Sequence, residues 1–296
     1  MSKTKRSFIY RDRFKNFMFI VPAMLMFVVF SAYPLYKTFQ LSLFKWNGIT
    51  TNMSFIGFSN YLQVFNDAIW WKSVFNGFFF AAAALLIMNP LALVLAYAVY
   101  KGVKGSSVYK VIYYIPPILS GIVVGYMWKW IYDPTNGILN MFLDSVHLSF
   151  FKTAWLSNPS TVLPAVSIAS IWQGFGGSFI LFWAGLQDIP PELFEAAKVD
   201  GATRWQQFIK ITIPLLKKPY TVITILTILG AMQTLPLVIS MTNGGPGFES
   251  TVPALRIYVE AFTNSQFGYA TALSVILGVM MLIISLVKIR MDREKD

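Results

Sequence analysis

The chain has 296 residues, of which 56% are hydrophobic and only 12% are charged, and its mean hydropathy is +0.57. Soluble domains carry about 25% charged residues, so this composition excludes an ordinary soluble protein and predicts an integral membrane protein. Cysteine is absent and His147 is the only histidine, which excludes disulfides, thiolate metal ligands and a histidine-based catalytic or metal centre. The net charge of +11 does not indicate nucleic-acid binding, because the basic residues are not gathered into one patch.

Six segments are long and apolar enough to cross a bilayer, which takes roughly 20 residues. They lie at about 17–37, 74–100, 109–132, 161–186, 219–241 and 268–288. Of the 24 Lys and Arg residues, 18 fall in the N-terminal segment, the 101–110 turn, the connection before the fifth span, and the C-terminal end. Cytoplasmic connections carry the excess of basic residues, so these regions and both termini are predicted to be cytoplasmic. The first segment is predicted to be an ordinary span rather than a cleavable signal.

The predicted domain organisation has three parts. Residues 1–73 hold a cytoplasmic N-terminal segment, the first span and an outer loop, residues 74–288 form one transmembrane bundle, and residues 289–296 form a cytoplasmic tail. Residues 55–67 of the outer loop are predicted to form a short amphipathic element. A polar elbow at 190–216 interrupts the bundle.

Prolines within the spans predict local distortion of two helices. The Pro116-Pro117 pair and Pro236 are predicted to open the third and fifth helices near a central cavity. The reason is that proline removes a backbone donor and kinks a helix, which a membrane tolerates where neighbours or water satisfy the freed groups.

Spans 2 to 6 carry no charge deep within the membrane, which argues against ion-coupled transport. Their mid-span polar side chains are neutral: Asn76, Asn89, Ser120, Ser170, Gln173, Gln233 and Thr234. With Tyr113, Trp128 and Trp172 they offer hydroxyl, amide and aromatic groups, which suit a neutral, hydroxyl-rich solute such as a sugar. The alternative for each amide is a purely structural hydrogen bond between helices.

The elbow sequence, ELFEAAKVDGATRWQQFIKITIPLL, is polar although it lies between two apolar spans. Pro190, Pro191 and Glu192 predict the start of a short helix, since proline fits the first turn and an acid complements the helix dipole. A turn at Asp200-Gly201 and a second helix from Ala202 follow, and Pro214 begins the fifth span. The apolar surface of this helix–turn–helix is typical of a surface that binds a partner.

The elbow resembles the EAA motif of binding-protein-dependent ABC importer permeases, through Glu195-Ala196-Ala197, Asp200-Gly201-Ala202, Phe208, Ile211, Ile213-Pro214 and Leu216. Three further stretches, IYYIPPILSG, GLQDIPPELFEAA and TNGGPGFEST followed by FGYATALS, are similar to the carbohydrate-uptake branch, specifically a maltose-permease-like subunit. The resemblance implies an all-α integral membrane protein, with a six-helix bundle of the type I ABC importer permease fold. It also places the protein in a bacterial cytoplasmic membrane.

By this resemblance the elbow is a coupling helix that sits in a groove of a separate ATPase. The residues carried over to that role are Glu195, Ala196, Ala197, Asp200, Gly201, Ala202, Phe208 and Pro214. The chain has no G-x-x-x-x-G-K-[ST] phosphate loop, so ATP and Mg²⁺ are expected on the partner and no cofactor on this chain. The implied partners are an ATP-binding cassette ATPase dimer, a second homologous permease subunit, an extracytoplasmic solute-binding protein, a sugar or oligosaccharide, and membrane lipid.

Alignment of the same landmarks with the maltose permease implies a set of substrate-lining residues: Tyr113, Pro117, Ser120, Ser170, Trp172, Gln173, Gly174, Gly177, Ala231, Gln233 and Thr234. Small residues replace an Asn and a Tyr of that permease in the fourth helix, which leaves more room and argues against maltose itself.

Three alternatives remain open at this point. The cargo of the same machine could be glycerol phosphate or a polyol derivative, although a phosphate would favour a basic cavity and only Lys129 lies near one. The chain could be a membrane-embedded enzyme that acts on lipid or glycan, although its acids at 133, 144, 249 and 260 are scattered. A structural membrane scaffold is the third alternative, but it would not need the elbow.

Overall fold

The computed structural model describes residues 17–293, which are mainly helical. The described residues form two compact units. One contains residues 17–66 and 259–276, and the other contains residues 67–258 and 277–293.

The first unit begins with helix α1 (Phe17–Leu41). Two short antiparallel strands follow, β1 (Phe44–Lys45) and β2 (Ser54–Phe55), with Phe44 opposite Phe55. Helix α2 (Ser59–Asn66) lies where the amphipathic element was expected. The buried Asn60 amide holds it in place by donating to the carbonyls of residues 42 and 44, at 2.8 and 3.0 Å. The unit also contains the turn Val259–Thr263 and the start of the last helix (Phe267–Arg293), called α13 below.

The second unit is a helical bundle. Its helices are α3 (Ala68–Tyr100), α4 (Ser106–Ile118), α5 (Gly121–Ile131), α6 (Ile138–Ser145), α7 (Val162–Gln187), α8 (Pro191–Val199), α9 (204–215), α10 (Lys217–Met232), α11 (Leu235–Met241) and α12 (Pro253–Tyr258), with a 3₁₀ turn at Ser149–Phe151. Helix α7 packs against both α4 and the second half of α3. Phe179 and Phe182 of α7 are fully buried there, so this contact forms the core of the unit.

Five helical stretches are long and apolar enough to cross a membrane: Phe17–Leu41, Ala68–Tyr100, Val162–Gln187, Lys217–Met241 and Phe267–Arg293. A sixth exists if α4 and α5 count as one span, although they are bent by 97°. The segment predicted at 109–132 is therefore a broken span, and the break lies directly after the Pro116-Pro117 pair that was predicted to open it. Pro116 and Pro117 supply no backbone donors, Leu119 is extended, and Ser120 caps a new helix that runs in another direction.

Three other prolines do not break their helices. Pro34, Pro90 and Pro214 each follow a π-helical turn that ends two residues earlier, at Val28–Ala32, Ala84–Met88 and Phe208–Thr212 respectively. In each case the residue before the proline donates its N–H to the carbonyl five residues back. The wider turn accommodates the ring and the missing donor, so the helix continues.

Candidate functional site

A cavity of about 490 Å³ opens between the helices of the second unit. It is bounded by α3, the break between α4 and α5, α7, α10 and α11. Its lining is made of Phe80, Ala84, Met88, Pro117, Gly121, Ser170, Gln173, Gly174, Gly177, Ser178, Leu181, Ile223, Leu226, Thr227, Gly230, Ala231, Thr234, Pro236 and Leu237. None of these side chains carries a charge, and five bear a hydroxyl or an amide.

The structure brings seven of the eleven predicted lining residues to this cavity: Pro117, Ser170, Gln173, Gly174, Gly177, Ala231 and Thr234. They come from three separate spans, so these spans converge on one space. The remaining four, Tyr113, Ser120, Trp172 and Gln233, lie outside the lining.

The two aromatic residues of that group, Tyr113 and Trp172, pack against other aromatic side chains. The Tyr113 ring contacts Phe179 edge-on at a centroid distance of 5.0 Å and Phe175 at 5.4 Å. Trp172 packs edge-on against Trp128 at 6.1 Å. Both rings therefore fill space between helices instead of facing the cavity.

The two polar residues of the group sit at helix ends. The Ser120 hydroxyl accepts from the Ile122 N–H at 3.4 Å and so caps the start of α5. Gln233 is the exposed residue at which α10 ends. Both residues lie where a helix starts or ends, and this position accounts for their polar side chains.

Polar groups beside the cavity are linked by hydrogen bonds that join three helices. The fully buried Asn89 donates to the Thr227 hydroxyl at 3.2 Å and accepts from the Ser178 hydroxyl at 3.0 Å. The Gln173 amide donates to the Leu119 carbonyl at 3.1 Å, which satisfies a backbone acceptor exposed by the helix break. Within residues 17–293, no group of His, Cys, Asp and Glu could hold a metal ion.

Sequence reasoning missed most of the apolar wall of the cavity: Phe80, Ala84, Met88, Leu181, Ile223, Leu226 and Leu237. In the sequence these residues look the same as lipid-facing residues of any span. Ser178 and Thr227 were also missed. Their hydroxyl groups in the middle of a span were the one feature of the sequence that could have identified them as lining residues.

The polar elbow folds as two helices joined by a tight turn, as the sequence predicted. Helix α8 starts with Pro191 in its first turn, and Gly201 at φ +76° makes the turn after it. The next helix begins at Arg204, two residues later than expected. Thr203 explains this start, because its hydroxyl accepts from the Gln206 N–H while the Gln206 side chain accepts from the Thr203 N–H.

Aromatic contacts anchor the elbow to the end of α3. The buried Phe208 ring packs against Tyr97 at 4.8 Å, and Tyr97 donates its hydroxyl to the Arg204 carbonyl at 3.2 Å. The Lys101 ammonium lies over the Phe194 ring at 3.4 Å. Because these contacts fix both halves of the elbow, its outer surface is presented rigidly.

The eight predicted coupling residues divide by exposure. Glu195, Ala196, Asp200, Gly201 and Pro214 are exposed, Ala197 and Ala202 are half-buried, and Phe208 is buried. On α8 the exposed stripe runs through residues 192, 195, 196 and 199, which share one helix face. Val199 is 88% exposed at the end of this stripe. The stripe is therefore free of contacts within the described chain that would hide it from a partner.

A polar clamp at the other end of the second unit fixes the loop before α12. The Asn76 amide, which is 2% exposed, donates to the carbonyls of Glu249 and Thr251, both at 2.9 Å, and to that of Phe248 at 3.4 Å. Lys72 forms an ion pair with Glu249, and Arg256 forms one with Asp67 at 2.9 Å. The start of α3 thus holds the loop by one buried amide and one ion pair, and Asp67 just before α3 holds α12 by the other ion pair.

We expect Asn76→Leu to destabilise this clamp, because a side chain of similar size leaves buried carbonyls without a donor. The cost of such unpaired groups is about 1–3 kcal/mol. A lower melting temperature of the purified protein and faster proteolysis within 243–251 would show it. Asn66→Leu is the control, since the Asn66 amide makes only an exposed bond to Leu62. Equal melting temperatures of the two variants would contradict the role of Asn76.

Residues 88–293 match the family model described as "Binding-protein-dependent transport system inner membrane component". The chain therefore belongs to this family, and the resemblance predicted from the elbow is confirmed. It is a transport subunit that crosses the membrane several times, with five or six spans in the described residues.

Individual relatives agree with this membership. The "Probable ABC transporter permease protein YurN" of Bacillus subtilis (strain 168) is 32% identical over 284 residues, which cover 95% of this chain and 97% of the relative. The "Diacetylchitobiose uptake system permease protein NgcF" of Streptomyces coelicolor is 33% identical over 284 residues, covering 92% and 80%. A crystal structure of a bacterial ABC transporter involved in the import of the acidic polysaccharide alginate has the same fold, with a TM-score of 0.82, 22% identity and 99% of both chains covered.

Proposed function

We propose that this chain is a permease subunit of an ATP-driven importer that moves a neutral sugar or oligosaccharide across the cytoplasmic membrane. The uncharged cavity between the spans is the observation that carries the proposal. Its walls combine apolar side chains and small residues with a few hydroxyls and amides, which is the composition of a small-molecule site. The relative named for diacetylchitobiose uptake supports a sugar as cargo.

The elbow is the proposed contact with a separate ATPase, which binds ATP and Mg²⁺. The exposed stripe on α8 fits this role because it presents two acids, Glu192 and Glu195, beside the small or apolar Ala196 and Val199. Movement of the ATPase would move the elbow, so that the cavity opens in turn to the outer and the cytoplasmic side of the membrane. The excess of basic residues at the elbow, the 101–110 turn and both ends supports a cytoplasmic location for these regions.

The cavity lining supports two alternative functions less well than sugar import. For glycerol phosphate or another polyol derivative, a phosphate would favour a cation in the cavity, and no cavity-lining residue supplies one. A membrane-embedded enzyme for glycan or lipid would need clustered acids or histidines, and the cavity lining holds neither. The second permease, the ATPase dimer and the extracytoplasmic binding protein remain the expected partners.

The direct test is gentle purification of the protein from its native membrane, followed by mass spectrometry of bound proteins and glycans. Recovery of an ATPase, a second permease and a solute-binding protein is expected, together with a neutral glycan. Recovery of the chain without an ATPase, under conditions that keep known ABC importers intact, would contradict the proposal.

Gly177→Leu tests the cavity itself. Gly177 lines the cavity, and a Cβ built there meets no atom within 4 Å, so we expect a leucine side chain to occupy cavity space. A steric penalty of about 1.4 kcal/mol on the passing sugar corresponds to roughly a tenfold loss of uptake. We expect at least that loss in reconstituted vesicles, with an unchanged melting temperature.

Gly278→Leu is the matched control. Gly278 lies on the membrane-spanning helix α13, has no atom within 4 Å of a built Cβ, and is absent from the cavity lining. Full uptake by Gly278→Leu beside impaired uptake by Gly177→Leu would place the sugar path in this cavity. Full uptake by both variants would remove the cavity from the path.

A further inference from the structure

A second concave site of about 490 Å³ lies where α3 ends and the elbow begins. It is lined by Val94, Tyr97, Ala98, Lys101, Gly102, Val103, Arg204, Trp205 and Phe208, and we call it the elbow pocket. Lys101 directly follows the candidate span Ala68–Tyr100. If this helix crosses the membrane as proposed, the pocket lies where the bilayer changes from hydrocarbon to headgroups.

The elbow pocket carries two positive charges and no negative one. Lys101 and Arg204 both line it, although they are far apart in the sequence. Across residues 17–293, neither forms an ion pair with a carboxylate. Burial, and then the neighbouring Arg204, lower the pKa of Lys101. The two cations are thus held close together at an energetic cost that a bound anion would relieve.

The Lys101 side chain and the Arg204 backbone are both held by neighbouring residues. Besides the contact with Phe194, the Lys101 ammonium donates to the side-chain amide oxygen of Gln207 at 3.4 Å. The Arg204 backbone is held by Tyr97. Trp205 stacks on the buried Phe208 at 5.7 Å. A ligand would therefore meet a fixed ammonium and a fixed aromatic wall, with Arg204 anchored beside them through its backbone.

The remaining wall is apolar and continues along the exposed surface at the end of α3. Val94 is 51% exposed and Val103 46%, and Ala98 lies one turn from Val94 on the same face. Trp205 is 67% exposed, and aromatic residues are enriched at membrane interfaces. A ligand of this pocket must have an anionic head and an apolar body that leads into the hydrocarbon.

The geometry points to the elbow pocket as a binding site for an anionic phospholipid, whose phosphate contacts Lys101 and Arg204 and whose first acyl carbons lie against Val94, Ala98 and Trp205. Basic pockets at the membrane boundary bind anionic headgroups in this way. Under the proposed topology the lipid belongs to the inner leaflet. Because the elbow closes one side of the pocket, the lipid would brace the elbow against α3.

The test is native mass spectrometry of the full-length protein with its co-purifying subunits, titrated with phosphatidylglycerol or phosphatidylcholine. Tighter binding of phosphatidylglycerol is expected. Each charge near a membrane surface contributes a factor of about five, so Arg204→Gln should weaken binding about fivefold and the Lys101→Gln/Arg204→Gln pair about thirtyfold. Arg204→Gln keeps the backbone carbonyl that Tyr97 contacts, so this single variant tests the site even if the double variant does not fold.

Lys198→Gln/Lys210→Gln is the matched control, because it removes two positive charges from the same elbow outside the pocket. Unchanged phosphatidylglycerol binding by this control is expected. The inference is overturned if the control weakens binding as much as the pocket variant, or if the two lipids bind equally. Displacement of the lipid by inorganic phosphate alone would also overturn it, as would binding that disappears when the ATPase is present. These readouts do not involve uptake, so they fail independently of the sugar proposal.

Discussion

Replacing Gly176 with alanine is expected to destabilise the folded protein strongly. A Cβ at this position would lie 2.0 Å from the Tyr113 carbonyl oxygen and 3.0 Å from Cγ of Pro117. Since the first contact is with backbone, a side-chain rotation cannot relieve it, and α4 must move away from α7. Overpacking typically lowers the free energy of unfolding by about 1–3 kcal/mol. Because this contact is with backbone, we expect a loss of about 3 kcal/mol.

The adjacent Gly177 gives a control with the same change on the same helix. A Cβ at Gly177 meets nothing within 4 Å. In detergent, we expect Gly176→Ala to lower the melting temperature and the yield of monodisperse protein, while Gly177→Ala matches the parent. Indistinguishable melting curves for the two variants would mean that α4 and α7 do not approach each other as closely as in this structure.

Glu195→Lys is expected to impair transport strongly while leaving the fold unchanged, because Glu195 is exposed on the outer stripe of α8. The resemblance to importer permeases predicts a basic residue opposite it in the ATPase groove. Placing like charges together at an interface costs several kcal/mol, which corresponds to about a hundredfold loss of affinity or more. ATP-driven uptake should fall accordingly, together with co-purification of the ATPase.

Asp188→Lys makes the same charge change just before the elbow, at an exposed residue outside the predicted coupling set. This variant is expected to retain uptake and to co-purify with the ATPase as the parent protein does. Gly201→Pro is a second probe of the same surface, because proline requires φ near −65° and the turn has φ +76°. Normal uptake by both Glu195→Lys and Gly201→Pro would exclude the elbow as the coupling element.

The helical form of the elbow was predictable from the sequence because its determinants are local. Proline in the first turn, a glycine at positive φ and a threonine cap each act within a few residues, and the structure has Pro191, Gly201 and Thr203 in those roles. Five of the six predicted spans were predictable in approximate position for a similar reason, since length and hydropathy decide them, and the sixth is the bent pair α4 and α5. Their orientation in the membrane stays a prediction.

The cavity was predictable only in part, because it depends on which face each span turns inward. Seven lining residues followed from alignment of short motifs, but Leu226 and Ile223 read as lipid-facing residues. The sequence predicted that Pro116-Pro117 opens the third helix, but not that the helix ends there and a new one starts in another direction. A proline pair predicts a kink, yet whether the helix bends or stops depends on tertiary partners, in this case the Gln173 amide that satisfies the Leu119 carbonyl.

The π turn before Pro90 has a consequence for the composition of the cavity. A π turn holds one residue more than an α turn, so every side chain beyond it is rotated by about 100° from where an unbroken α-helix would place it. Phe80 faces the cavity from the near side of this phase shift, Ala84 and Met88 face it from the turn itself, and the buried Asn89 lies beyond it. Removing a single residue between 84 and 88 would turn Asn89 away from Ser178 and Thr227 while leaving the length and hydropathy of the span almost unchanged. The inserted residue thus sets the direction in which the side chains of the second half of α3 face, relative to those of the first half.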